Sequence, residues 1–298
     1  MSKKNSSWLP AYIALGITWG CSFIFIKLGL EFLTPVGVGF GRCALGAITL
    51  LAIVRAKNIA LPKDPKTLFH LWVVSLALNV IPGVLFAFAE TKVTSILAGI
   101  INAVTPLMTL LAIMLISRDE KPTRQQVLGL LLGFAGVLTV LAAWKGLGTN
   151  PLISVLALVL SVACYGFSFP YSKRFILPKK LKPEAMAATQ VTLGAATLLP
   201  FYLIDGIAKD QYLPGPVFAM LALGIFGSGF AYIWNFKILT AAGSAIASSV
   251  TFVTTIVAMS VGVIFLGEQI SWNEPVGAVI VLLGVAIAQG RIKLFKSK

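Results

Sequence analysis

Residues 42–51 read RCALGAITLL, and residues 190–199 read QVTLGAATLL. The two stretches agree at six of ten positions with an offset of 148, and Pro35 and Pro183 precede them at the same offset. Arg42 is the single charged residue in either stretch, and both are otherwise as apolar as a membrane-spanning helix. The two stretches therefore predict a fold that contains two copies of one apolar unit.

The similarity extends to both sides of these stretches. The further matches are Gly20 with Gly166, Ser22 with Ser168, Phe23 with Phe169 and Lys27 with Lys173 at an offset of 146, and Glu120 with Glu268, Gly129 with Gly277 and Gly136 with Gly284 at an offset of 148. Because order and spacing are kept through three regions, we interpret the chain as a duplication. The first repeat is predicted over residues 1–145 and the second over residues 146–298.

The composition is that of a membrane protein. Hydrophobic residues make up 58% of the 298 residues before the 27 glycines are counted, and charged residues make up 11%. Globular proteins average about 45–50% with glycine included. Lysine and arginine outnumber acidic residues by 24 to 10, but they lie in short breaks between apolar runs, which argues against nucleic acid as a partner. The three cysteines have no metal-ligand spacing, so neither a metal site nor a cofactor is predicted.

About 20 apolar residues are needed to cross a bilayer. Ten segments meet or nearly meet this length, and an all-α integral membrane protein with ten transmembrane helices is predicted. They are residues 8–28, 35–54, 68–89, 93–116, 125–144, 152–172, 184–204, 214–235, 241–266 and 273–290. Each repeat thus holds five spans.

The positions of lysine and arginine predict the orientation of these spans. Nineteen lie at one set of span ends and four at the other, and Arg42 inside a span completes the 24. Cations in short loops are retained on the cytoplasmic side, so both termini are predicted to be cytoplasmic in a bacterial-type cytoplasmic (inner) membrane. An odd number of spans per repeat places Lys27 outside and its counterpart Lys173 inside. The two five-helix repeats are therefore predicted to be inverted.

Inverted repeats are typical of secondary transporters, because two related halves can exchange roles around one site near the midplane. A channel-like facilitator with a neutral polar lining is the alternative that the repeat also allows. No spans carry the paired aspartates, His-Glu set or Ser/His pair that an intramembrane enzyme needs, so we do not expect an enzyme. The sequence leaves the oligomeric state open and is compatible with a monomer.

Several of these residues also carry a family resemblance. The chain resembles the EamA-type ten-helix branch of the drug/metabolite transporter superfamily, and within it the YddG-type exporters of aromatic and other amino acids. The residues that carry it are Trp19-Gly20, Phe23, Lys27, Pro35, Arg42, Ala98, Pro106, Leu266-Gly267-Glu268, Gly277 and Gly284. The resemblance implies amino-acid export, with drugs, nucleosides or other small metabolites as the alternative substrates. Ser117-Arg118-Asp119-Glu120 departs from the family pattern, where a Gly-Glu pair is expected.

Polar and aromatic residues near the middle of the spans are the candidates for substrate contact, since such groups must face protein or a wet cavity. The predicted substrate-binding residues are Trp19, Ser22, Arg42, Asn79, Asn102, Thr105, Tyr165, Ser168 and Gln190. The predicted hinges are Pro82, Pro106 and Pro170, where proline removes a helical hydrogen bond. For each residue the alternative is structural: a helix contact, a core ring, a static bend or, for Arg42, bonds to neighbouring carbonyls.

Arg42 is the one cation well inside a span, and a guanidinium can bind a carboxylate through two parallel hydrogen bonds. No carboxylate or histidine lies at midplane depth, because Glu90 and Glu268 fall at span ends. A proton-coupled carrier needs a group there that takes up and releases a proton. Passive, gradient-driven transport of a zwitterion is therefore expected, with Glu90 and Glu268 as the positions to examine if coupling exists.

Overall fold

The computed structural model describes residues 8–116, 123–143, 151–207 and 213–292. Over these ranges the chain is helical, and its only β pairing is an isolated bridge between Leu33 and Ile207. Glu120 and the loop around it, the boundary between the predicted repeats and both chain ends lie outside the described residues. The predictions made for those positions remain predictions.

Ten apolar helices follow one another along the described ranges, and each overlaps one of the predicted spans. They are α1 (Leu9–Gly29), α2 (Pro35–Ala56), α3 (Pro65–Glu90), α4 (Ser95–Leu115), α5 (Arg124–Val140), α6 (Leu152–Lys179), α7 (Pro183–Asp205), α8 (Pro214–Ala242), α9 (Ser244–Leu266) and α10 (Asn273–Ala288). Eight of the ten are long and apolar enough to cross a membrane, whereas α5 and α10 are shorter. The ten-span count, the inverted arrangement and the cytoplasmic termini stay predictions.

Prolines and capping side chains determine where several helices begin. α2, α3, α7 and α8 each start with a proline, whose fixed φ and missing N–H suit the first turn. The Thr34 hydroxyl accepts a hydrogen bond from Gly37 N at 3.1 Å, and the Asp64 carboxylate accepts one from Thr67 N at 3.0 Å. Hydrogen bonds from Thr67, first of all the one from its hydroxyl, lower the pKa of Asp64 from its usual value. The breaks between the apolar runs thus carry their own start signals.

Four helices are interrupted within their length. α3 contains a π-helical turn at Leu76–Val80, and α8 contains one at Ile225–Phe230. α4 is broken at residues 103–104 and α9 at residues 249–250. The two π turns start 149 residues apart and the two breaks 146 apart, close to the offsets of the sequence repeat. Interrupted helices leave backbone groups for other partners, which a membrane protein tolerates where they face protein or a cavity.

The helices pack in pairs that join the first part of the chain to the second. The principal pairs are α1 with α8 and α9, α2 with α7 and α8, α3 and α4 with α6, and α5 with α10. Glycine allows the α5–α10 contact, because a Cβ on Gly129 would lie 2.5 Å from Ala288 N and one on Gly136 would lie 2.7 Å from Val281 N. Residues 8–143 therefore pack against residues 151–292, and the two parts meet at the centre of the molecule.

Candidate functional site

A cavity lies at this centre, where seven helices meet. The cavity and its mouth enclose about 510 Å³ of empty space. Its lining consists of Trp19, Ser22, Phe23 and Ile26 of α1, Arg42 of α2, Leu78 and Phe86 of α3, Asn102 and Thr105 of α4, Tyr165 and Phe169 of α6, Tyr232 of α8 and Thr251 of α9. A pocket with mostly apolar and aromatic walls and a few polar groups is typical of a small-molecule site.

Six of the nine predicted binding residues line this cavity. They are Trp19, Ser22, Arg42, Asn102, Thr105 and Tyr165. The other three lie outside the lining, and their contacts are with the protein itself. The Gln190 amide nitrogen donates to the Asn79 amide oxygen, which ties α7 to α3, and both side chains are buried. The Ser168 hydroxyl donates to the main-chain oxygen of Tyr165 at 2.7 Å.

Five of the six aromatic side chains of the lining form two groups. The Trp19 ring meets Tyr232 edge to face at 5.9 Å between centroids. Phe86 contacts both Phe23 at 5.6 Å and Tyr165 at 5.7 Å. Trp19 and Tyr165 thus belong to different groups of rings. Such ring pairs favour edge or offset geometry and hold one another in place.

Several residues of the lining were not among the predicted binding residues. Phe169 is the repeat counterpart of Phe23, so the repeat alignment carried a signal for it. Tyr232, Phe86 and Leu78 had no such signal, because one apolar or aromatic residue in a span resembles another. Their place in the lining follows from how α3 and α8 are bent.

Two predicted hinge prolines follow the interruptions of α3 and α4. Pro82 has no N–H for the carbonyl of Leu78 four residues earlier, and the Tyr232 hydroxyl donates to that oxygen at 2.9 Å. Pro106 likewise leaves the carbonyl of Asn102, which accepts from the Thr105 hydroxyl at 2.8 Å. Each proline therefore removes a helical hydrogen bond beside the cavity, and a side chain of the lining donates to the freed carbonyl oxygen.

The third predicted hinge lies on another helix. Pro170 is buried inside α6, next to the cavity residue Phe169.

The π turn of α8 also contacts a residue of the lining. It presents the carbonyl of Gly227, which accepts a hydrogen bond from Trp19 Nε1 at 3.1 Å. The π turns of α3 and α8 thus both bind a cavity residue through a main-chain oxygen.

Arg42 is the only charged side chain in the lining as far as the chain is described. It is 5% exposed, and its Nε donates to the Ser228 hydroxyl at 3.0 Å. The two terminal nitrogens make no hydrogen bond to the described part of the chain. Gly46 lets α2 approach Ser228, because a Cβ at that position would lie 2.9 Å from the Ser228 Cβ. One edge of the guanidinium is therefore fixed, and the other is free to bind a ligand.

The two glutamates that the sequence analysis singled out do not line the cavity. The Glu268 carboxylate accepts from Ser95 N at 2.8 Å, Ser95 Oγ at 2.9 Å and Ile96 N at 3.0 Å, and so holds the start of α4. Glu90 is fully buried at the end of α3, where the Lys27 ammonium donates to its main-chain oxygen at 2.7 Å. Within the described residues, no three His, Cys, Asp or Glu side chains are grouped to hold a metal ion.

Comparison with known proteins assigns a family. A model described as the EamA-like transporter family matches the chain twice, over residues 6–142 and 152–289. The inner membrane transporter YedA of Escherichia coli K12, described as uncharacterized, is 27% identical over 97% of this chain and 92% of its own. Two uncharacterized transporters of Archaeoglobus fulgidus are 25% and 28% identical over 92% of this chain, and over 96% and 94% of their own length.

A solved crystal structure has the same fold. It is 18% identical, covers 98% of this chain and 99% of its own, and gives a TM-score of 0.71. The named relatives are described as transporters without a substrate, so the resemblance to YddG-type exporters of aromatic amino acids stays a prediction.

Proposed function

The chain belongs to the EamA-like transporter family and is a multi-pass inner membrane transporter, and we propose that it exports amino acids, aromatic ones included, by alternating access. The observation that carries this proposal is the central cavity, to which both parts of the chain contribute. A site between two halves can open to either side when the halves move against each other.

The chemistry of the lining supports an amino acid as the solute. Trp19, Phe86 and Tyr165 offer ring faces and edges to an aromatic or large apolar side chain. Arg42 offers two free nitrogens to a carboxylate, and Asn102 and Thr105 add neutral polar groups. The ring and the carboxylate of an aromatic amino acid therefore each have a complementary group in the cavity.

The paired interruptions support two inverted repeats, over residues 1–145 and 146–298, as the basis of the motion. The π turns of α3 and α8 and the breaks of α4 and α9 occupy equivalent positions in the two sequence repeats. In our proposal these four places, with Pro82, Pro106 and Pro170 beside the cavity, absorb the bending as access changes sides. Related halves with helix interruptions at equivalent positions can exchange conformations, which is what alternating access requires.

We propose passive uniport as the mode of transport. Asp, Glu and His are absent from the described lining. The Glu268 carboxylate accepts hydrogen bonds from the first residues of α4. A carrier without a titrating group in its cavity has no direct means of tying a proton to each cycle. Net flux then follows the amino-acid gradient alone.

Purified protein in liposomes tests this function. We expect uptake of labelled phenylalanine to saturate, and to be accelerated by unlabelled phenylalanine inside the vesicles, because a carrier returns faster when loaded. An imposed pH gradient alone should drive no uphill uptake. Uptake that rises linearly with the external concentration and is not changed by internal phenylalanine would contradict a carrier and favour a channel.

A variant pair connects the flux to the cavity. Trp19→Ala removes a lining ring and should reduce uptake per folded molecule about tenfold or more, which corresponds to ~1.4 kcal/mol. Phe218→Ala is the matched control, since the Phe218 ring is 67% exposed on the outer surface. Equal losses in the two variants, or a loss of Trp19→Ala activity that only follows the loss of folded protein, would contradict the assignment of the cavity.

A further inference from the structure

The described lining of the cavity carries one formal charge, and it is positive. Arg42 supplies it, and the twelve other lining residues are neutral. Glu90 is buried outside the lining at the end of α3, where the Lys27 ammonium donates to its main-chain oxygen and neither carboxylate oxygen has a hydrogen-bond partner among the described residues. Glu268 is bound to the start of α4. The charge of Arg42 is therefore left without a neutralising group inside the cavity.

The guanidinium is positioned in advance for an anion. The Nε–Ser228 hydrogen bond fixes its plane, while burial to 5% exposure removes most of the water that would compete for it. The two terminal nitrogens, which make no hydrogen bond to the described chain, present parallel N–H groups. This geometry matches the two oxygens of a carboxylate.

An ammonium group finds no equivalent partner there. It carries three N–H donors and is costly to bury without acceptors. The hydroxyls of Ser22 and Thr251 donate to the main-chain oxygens of Thr18 and Ser248, each at 3.0 Å, and so offer an ammonium only neutral lone pairs. The carbonyl freed by Pro82 is taken by the Tyr232 hydroxyl at 2.9 Å. Neutral oxygens remain as weak acceptors, and no acid of the described lining balances the positive charge.

We propose that the cavity recognises the carboxylate and the apolar body of its solute but not the α-ammonium group. Monocarboxylates that lack the amino group are therefore substrates of the same site, and amines that lack the carboxylate are not. This inference rests on the proposed function, because it names the substrate chemistry of the same cavity.

The inference has an electrical consequence. A monocarboxylate carries one negative charge, whereas a zwitterionic amino acid carries none. Exchange of external monocarboxylate for internal amino acid therefore moves one negative charge inward in each cycle. Any movement of Arg42 through the membrane field cancels over a complete exchange cycle.

The test uses wild-type protein in liposomes loaded with phenylalanine. External 3-phenylpropionate should inhibit labelled phenylalanine exchange with a half-inhibitory concentration within about threefold of that of phenylalanine, and phenethylamine should be weaker by about tenfold or more. An inside-positive potential should accelerate exchange of external 3-phenylpropionate for internal phenylalanine, and it should leave phenylalanine–phenylalanine exchange unchanged.

Variants locate the effect. Arg42→Gln should raise the half-inhibitory concentration of 3-phenylpropionate about 10–100-fold, the equivalent of the 1.5–3 kcal/mol of a charged hydrogen bond, and should leave that of phenethylamine unchanged. Lys237→Gln removes an exposed cation and is the matched control. The comparison of the three solutes on wild-type protein decides the inference even if Arg42→Gln fails to fold.

The outcomes separate this inference from the proposed function. If phenylalanine exchanges but 3-phenylpropionate does not inhibit, or phenethylamine inhibits equally well, carboxylate recognition is wrong and the carrier function stands. If 3-phenylpropionate is exchanged and phenylalanine is not, the inference holds and amino-acid export is wrong. If neither solute is exchanged, both are wrong.

Discussion

Pro82 and Tyr232 illustrate how single residues build this site. Proline cannot donate to the carbonyl of Leu78, and the Tyr232 hydroxyl occupies that carbonyl from another helix. A buried carbonyl left unpaired would cost about 1–3 kcal/mol. The bend of α3 and the ring that lines the cavity are therefore two parts of one arrangement.

This arrangement predicts coupling between the two residues. Tyr232→Phe should destabilise the protein by about 1–3 kcal/mol, because Leu78 O loses its donor. In a Pro82→Ala background an alanine N–H is available to that oxygen, so the same substitution should cost less. Thermal unfolding of the four proteins in detergent, followed by tryptophan fluorescence, measures the difference. Equal losses in both backgrounds would contradict the role given to Tyr232.

At the scale of the helices, close contacts depend on residues without a side chain. The α5–α10 contact brings Gly136 to Val281 N, at 2.7 Å from where a Cβ would stand. Gly136→Ala should therefore lower the thermal midpoint, since neither backbone can yield without separating the helices. Gly215→Ala is the control, because a Cβ there meets nothing within 4 Å. Similar midpoints for the two variants would show that α5 and α10 do not pack in this way.

The start of α4 depends on a carboxylate from the end of α9. Glu268→Ala leaves Ser95 N and Ile96 N without an acceptor and should destabilise the protein by about 1–3 kcal/mol. Glu31→Ala removes an exposed acid near the end of α1 and should have little effect. The same unfolding measurement compares them, and a neutral Glu268→Ala would rule out this contact as a support of α4.

The helices could be predicted from the sequence, but of their four interruptions only those beside Pro82 and Pro106 carried a signal. Apolar length, prolines and loop charges are properties of each segment, and so every predicted span overlaps a helix. The π turn of α8 holds no proline, and its geometry depends on Trp19 and Arg42 from other helices. The same limit explains Asn79 and Gln190: their polarity indicated a partner, but only the fold shows that they are bound to each other.

At the scale of the whole molecule, the site is a product of the contact between two parts of the chain. Residues of α1 to α4 meet residues of α6, α8 and α9 around one cavity, and neither set encloses it alone. A relative movement of the two parts would therefore change access to Ser22 and Thr105, which line the cavity.

The most direct test is the accessibility of one cavity position from the two sides of the membrane. Cys21, Cys43 and Cys164 are first replaced, and Ser22→Cys is introduced into that background. A membrane-impermeant thiol reagent, applied to oriented vesicles from either side in turn, should label the new cysteine from both, and saturating substrate should slow both reactions. Labelling from one side only, with or without substrate, would contradict alternating access.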